Sequence, residues 1–176
     1  YSYWDLKKAE VRKISEEQAK DELKELLKDA IKIRMQSDVP IGTFLSGGVD
    51  SALITAIASK VSESKINTFT IGFEDPKYDE SKIAERFSKI LGTNHTTTVC
   101  KSKDIIDLIS KFKDVFDEPF ADSSALPSLL LNKVTKEHVT VAISGDGGDE
   151  SFIGYNHFLT RRKFKLLSII PYSLRK

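Results

Sequence analysis

The chain has 176 residues, 40% of them hydrophobic and 30% charged, enough for one globular domain of ordinary size with its own core. Its 27 basic and 26 acidic residues leave a net charge of +1 and are mixed along the sequence, which excludes the polarised field of a nucleic-acid or anionic-membrane binder. The single cysteine, Cys100, excludes an internal disulfide and a Cys-x-x-Cys site, no run approaches the ~18 to 20 apolar residues of a membrane span, and the beginning YSYWDLKKAE resembles neither a signal nor a transit peptide, so a soluble cytoplasmic protein is expected.

Residues 1–14 show no periodicity. Ser15 is then followed three residues on by Gln18, with Glu16 and Glu17 between them, the signature of a capping box. Ala19, Leu23, Leu26, Leu27, Ala30 and Ile31 recur at helical spacing behind it and predict an amphipathic helix over 16–36. VPIGTFLS (39–46), INTFTIGF (66–73), HTTTVC (95–100) and VTVAIS (139–144) read as strands. Helical patterns fill 51–62, 79–91 and 102–116. Strands alternating with helices predict parallel βαβ units, hence an α/β fold: an open parallel sheet with helices on both faces and every strand-to-helix loop on one edge. The first strand is central if crossovers leave it in both directions, which gives the expected order 3-2-1-4. No internal repeat, low-complexity stretch or Pro/Gly/Ser linker divides the chain.

The chemistry is sought in the loops at that edge. The first strand ends in TFLSGGVDS (43–51), where Gly47 and Gly48 allow positive φ and close approach of a ligand, and the free N–H groups opening the next helix favour an anion. This is neither a Walker A loop, which needs Gly-Lys-Ser/Thr, nor the dinucleotide fingerprint Gly-x-Gly-x-x-Gly. Asp50 would repel a phosphate unless a divalent cation, most simply Mg²⁺, lay between them. Taken alone, the loop reads equally as a tight turn with Asp50 and Ser51 capping the next helix. The fourth strand ends in ISGDGGDESFIGY (143–155), which repeats the order of apolar strand, glycines, hydroxyl and carboxylates. With that strand beside the first, both loops open into one crevice, where Asp50, Asp146 and Asp149 are placed to share a metal.

SGGVDS resembles the phosphate loop of the ATP pyrophosphatases, which cleave ATP between its α and β phosphates and activate a carboxylate or carbonyl oxygen as an adenylate. YWDL (3–6), TFTIGFEDPKYDES (68–81), DEPFADSSALPSLLL (117–131) and SGDGGDESFIGY (144–155) together resemble the synthetase domain of glutamine-dependent asparagine synthetases, over essentially the whole chain. The resemblance implies that Ser46, Gly47, Gly48, Asp50 and Ser51 hold pyrophosphate and Mg²⁺, that Phe44, Leu45, Ile71, Ser144 and Gly145 flank the adenosine of ATP, and that Asp50 and Asp149 bind metal. Asp146 and Asp149 are the implied catalytic carboxylates. Asp146 stands where the family usually has Glu, one methylene longer. The implied reaction makes an amide: ATP activates a carboxylate, with aspartate the expected acceptor, and ammonia displaces AMP. A related synthetase acting on another carboxylate, a nucleotide-binding module without turnover, and a tRNA-modifying ligase are the alternatives.

Full members of that family begin with a glutaminase domain whose nucleophile is an N-terminal cysteine, whereas this chain begins with Tyr1 and carries Cys100 in a predicted strand. Residues 1–14 then read as the end of an interdomain linker, and 15–176 as part of the synthetase domain, expected to bind Mg-ATP more readily than to turn it over because further helices and a catalytic lysine follow in the family. A homodimer is the candidate assembly. Asp122 or Ser123/Ser124 is expected to cap a helix tolerating Pro127 in its early turn, with its positive end facing the crevice. His95, His138 and His157 make no metal spacing, and RRKFK (161–165) reads as a solvated helix face rather than an RNA patch.

Overall fold

The structure is a computed structural model that describes residue 5 and residues 11–118, 121–158 and 160; YWDL apart from Asp5, the RRKFK patch and most of 156–176 lie outside the described residues. Helix α1 (Glu16–Arg34) opens on the expected capping box: the Gln18 amide donates to Ser15 Oγ and the Ser15 amide to the Gln18 side chain, each at 3.2 Å. Glu16 and Glu17 in the first turn and Lys32 and Arg34 in the last complement the helix dipole. Ile31 is the buried residue of α1, clustered with Ala58 and Ile66. The helix is therefore laid against α2 (Val49–Val61) from outside.

Strands β1 (Ile41–Phe44), β2 (Asn67–Phe73), β3 (Asn94–Cys100) and β4 (Val141–Ile143) form one parallel sheet in the order β3-β2-β1-β4, as the alternating pattern predicts. Side-chain alternation along β2 separates the layers. Ile71 and Phe73 pack with Cys100 against Leu108 of α4 (Ser102–Val115) and Leu126, Leu129 and Leu130 of α5 (Ala125–Thr135). On the other face α2 lies on β1, where Thr43 and Thr55 share a buried hydroxyl–hydroxyl bond of 2.9 Å, and α3 (Ser81–Leu91) packs on β2 and β3. A five-residue helix, α6 (Gly148–Phe152), follows β4.

Three elements differ from the sequence pattern in ways that affect the crevice. Helix α2 starts at Val49 rather than 51, because extended Gly48 (φ −78°, ψ 153°) serves as its N-cap, so Asp50 lies inside the first turn. Strands β1 and β4 are shorter than predicted: Pro40 has no N–H to give, and its carbonyl instead accepts the Thr140 and Val141 amides at 3.0 and 3.3 Å.

The edge strand β3 contributes His95, whose Nδ1 lies 2.9 Å from the Thr68 hydroxyl and Nε2 3.1 Å from that of Thr97. Burial pushes its pKa below the usual histidine value, with Glu85 opposing weakly. A base whose folded-state pKa is depressed leaves the unfolded chain binding more protons, so this contribution is complete above about pH 6.5 and is lost as pH falls through the window below it. The urea midpoint of the wild-type chain is expected to fall more between about pH 7.5 and about pH 5.5 than that of His95→Gln, in denaturation curves recorded at both. Equal falls would show that the imidazole is as readily protonated folded as unfolded.

Candidate active site

β1 and β4 are neighbours, and the loops leaving their carboxyl ends meet at the point where the strand order reverses. In the first loop the Leu45 amide still reaches the Phe69 carbonyl at 2.9 Å, and then the chain turns. The Ser46 amide donates to Ser51 Oγ at 3.0 Å, the Gly48 amide to Ser46 Oγ at 3.1 Å, and the two serine hydroxyls lie 2.9 Å apart. The Gly47 amide donates to Glu80 Oε2 at 3.0 Å. Neither glycine has the positive φ expected of the pair; they answer to crowding instead. A Cβ on Gly47 would lie 3.2 Å from Glu80 Cβ, and one on Gly48 3.2 Å from Ser46 Oγ.

The second loop closes on itself and on the first. Ser144 Oγ donates to the Asp146 carboxylate at 2.9 Å, and the Gly148 amide donates to the Gly145 carbonyl at 3.2 Å. A Cβ on Gly145 would sit 3.0 Å from the Ser51 nitrogen, and one on Gly148 2.8 Å from both Cγ and Oδ2 of Asp50. The glycines of this loop thus let it press against the Asp50 side chain. Beyond them Glu150 accepts the Tyr155 hydroxyl at 2.5 Å, which holds the carboxyl below its usual pKa and pushes the phenol up to about 12.

Between the loops is a cavity of about 930 Å³, at the upper end of the range for small-molecule sites. It is lined by Phe44, Leu45, Ser46, Gly48, Asp50, Ser51, Ile71, Ser144, Gly145, Asp146 and Asp149, every residue the sequence nominated except Gly47, which Glu80 covers. Leu45 is almost wholly buried, so it forms the floor of the crevice rather than a reaching contact. Sequence reasoning assigned no role to Phe69, Thr70, Phe73, Tyr78, Glu80, Ser128, Leu131 or Asn132, which line the same space. The segment carrying Tyr78 and Glu80 is pinned by Asp79, whose carboxylate accepts the Ser81 amide at 3.1 Å and the Phe73 amide at 3.3 Å and is held below its usual pKa chiefly by Ser81. Helix α5 lines the cavity through Ser128, Leu131 and Asn132, while Ala125, Leu126 and Pro127 before them do not. Asp122 accepts the amide and hydroxyl of Ser124 at 2.7 and 2.6 Å, bracing the turn before that helix.

Four carboxylates, those of Asp50, Glu80, Asp146 and Asp149, line the cavity, and among the described residues no lysine, arginine or histidine does. Such a lining favours a polyphosphate that arrives with a divalent cation, and the donor set, hard carboxylate and hydroxyl oxygens, suits Mg²⁺. The residues present therefore fit a magnesium nucleotide in size and chemistry. The three aspartates do not converge, however: among the described residues no group of three or more His, Cys, Asp or Glu side chains is placed to hold a metal. Asp146 is turned back to Ser144, and Asp149 lies against Gly154, where a Cβ would meet its Oδ1.

Residues 22–175 match the asparagine synthase family. A Methanocaldococcus jannaschii protein provisionally named asparagine synthetase [glutamine-hydrolyzing] 2 is 40% identical over 177 residues, 99% of this chain and 34% of that protein. Asparagine synthetase [glutamine-hydrolyzing] 1 of Bacillus subtilis is 37% identical over 155 residues, 88% of this chain and 24% of that one. The chain thus spans about a quarter to a third of the length of these curated relatives. Among solved structures, an NH3-dependent NAD synthetase from Campylobacter jejuni aligns with a TM-score of 0.53 at 17% identity, over 77% of this chain and 60% of that one. At that identity the likeness is one of fold.

Proposed function

We propose that this chain, which belongs to the asparagine synthase family, carries the nucleotide-using half of an ATP-dependent amide synthesis. The observation that carries the reading is the meeting of two Gly/Asp loops at one sheet edge around a cavity lined by four carboxylates and, among the described residues, no basic side chain. In this reading Ser46, Gly47, Gly48 and Ser51 hold the β and γ phosphates through amides and hydroxyls, and Phe44, Leu45 and Ile71 with the backbone at Ser144 and Gly145 form the adenosine side. Asp50 and Asp149 are the residues that would hold Mg²⁺, which would there neutralise the pyrophosphate leaving group.

The reaction is an in-line displacement followed by an acyl transfer. A carboxylate oxygen of the acceptor, aspartate by family likeness, attacks the α phosphorus; the α–β phosphoanhydride bond breaks, and pyrophosphate leaves with the electron pair. Ammonia, derived from glutamine by family likeness, then attacks the acyl carbon, loses a proton, and expels AMP as the C–O bond breaks. Asp146 and Asp149 border the space where these groups would meet.

Isotope exchange of labelled pyrophosphate into ATP, run with magnesium across a panel of carboxylates, tests this. Exchange that requires aspartate supports the reading in full. Exchange with a different acid keeps the adenylation and replaces the acceptor. Tight Mg-ATP binding without exchange under any acid would make the chain a binding module, and absence of both would overturn the proposal.

A further inference from the structure

The amides of Ser46, Gly47 and Gly48 are each satisfied without a ligand, but not in the same way. Those of Ser46 and Gly48 are met by neutral serine hydroxyls of the loop itself, which rotate at little cost. That of Gly47 is met by a carboxylate from thirty-three positions away, Glu80 Oε2 at 3.0 Å. The Glu80 side chain lies flat over the glycine: a Cβ on Gly47 would be 3.2 Å from its Cβ, 3.3 Å from its Cδ and 3.2 Å from its Oε2. Glu80 lines the cavity and Gly47 does not. Its position comes from the neighbouring Asp79, which ties residues 73 and 81 together and so aims the residue between them at the loop.

A phosphate oxygen accepting from the Gly47 amide would need a donor–acceptor distance near ~2.9 Å, the place Glu80 Oε2 already takes. One N–H gives one strong bond, and two anions cannot share it. We infer that Glu80 is an internal anion seated on the phosphate loop, which an incoming polyphosphate must displace, so that it weakens nucleotide affinity. The inference rests on the nucleotide reading of the crevice given above and deepens it. A brace holding the loop open for its ligand would use the same bond and predict the opposite sign.

The test is calorimetric titration of the wild-type chain, Glu80→Gln and Glu80→Ala with Mg-ATP and, separately, with magnesium pyrophosphate, after circular dichroism shows all three folded. Charge-assisted bonds are about twice as strong as neutral ones, so losing the carboxylate is expected to tighten both probes by about tenfold in Glu80→Ala, with Glu80→Gln between it and the wild type. Equal or weaker binding by Glu80→Ala overturns the inference, as does a loss in Glu80→Ala that Glu80→Gln restores. Pyrophosphate tightening without any ATP binding would keep the displaced anion and remove the nucleotide reading. ATP binding that is equal in all three proteins would do the reverse. No binding of either probe by any of them removes both.

Discussion

Asp50→Ala is expected to weaken Mg-ATP binding by at least about 100-fold, since even residues that merely orient a metal's ligands cost 10- to 100-fold when removed. Asp50 is the point where the two loops touch: it lies in the first turn of α2, it lines the cavity, and Gly148 is pressed against its carboxylate. In excess chelator the sign should reverse. Without a cation between them, the carboxylate and a polyphosphate repel, so removal of Asp50 should leave metal-free ATP binding unchanged or tighter. Titration of both proteins with and without magnesium reads the two effects. Weakening of equal size in both conditions would mean that Asp50 acts only by shaping the loop.

Gly42→Ala should carry the largest cost to stability. Gly42 sits mid-strand in β1, between β2 and β4, and a Cβ there would lie 2.7 Å from Phe69 Cε2 and 2.8 Å from the Asn67 carbonyl oxygen. Phe69 is fully buried and the second atom is backbone, so neither can step aside. Overpacking of this kind costs about 1–3 kcal/mol, and a clash with backbone belongs at the upper end. For a chain of this size that corresponds to a loss of roughly 5–10 °C in Tm, measurable by thermal melting. A melting point unchanged by the substitution would show that β1 and β2 have room between them. Because β1 carries the phosphate loop, any strand separation that absorbs the methyl group should also reduce Mg-ATP affinity.

The strand order was legible because its signals are local: four short β-rich runs, helices between them, and a Gly/Asp loop closing the first and fourth. Helix α1 was legible from Ser15 and Gln18, whose reciprocal bonds depend on spacing alone. The start of α2 was misplaced by two residues because a Gly-Gly pair reads as punctuation, whereas here Gly48 adopts the extended conformation of an N-cap. Glu80 and Tyr78 went unassigned for a different reason. They reach the crevice from the loop after β2, and a contact across thirty-three positions leaves no periodicity to read. A trace was present in DES (79–81), where an Asp two residues before a Ser can tie down its own turn and so commit the residue between them to a direction. The failed convergence of Asp50, Asp146 and Asp149 was equally invisible, since it follows from Ser144 turning Asp146 back toward its own loop.

The pairing of β1 with β4 also bears on the order in which the molecule assembles. β1 meets β2, and β2 meets β3, across short βα units, whereas Ile41 of β1 aligns with Val141 of β4 across a segment about four times longer. Loop-closure entropy grows by about 0.6 kcal/mol per doubling, so this contact starts roughly 1.2 kcal/mol behind its neighbours and gains most by waiting until the intervening chain has condensed. The cavity between the two loops is therefore completed at the end of folding, and a ligand that needs both of its walls recognises only chains that have finished.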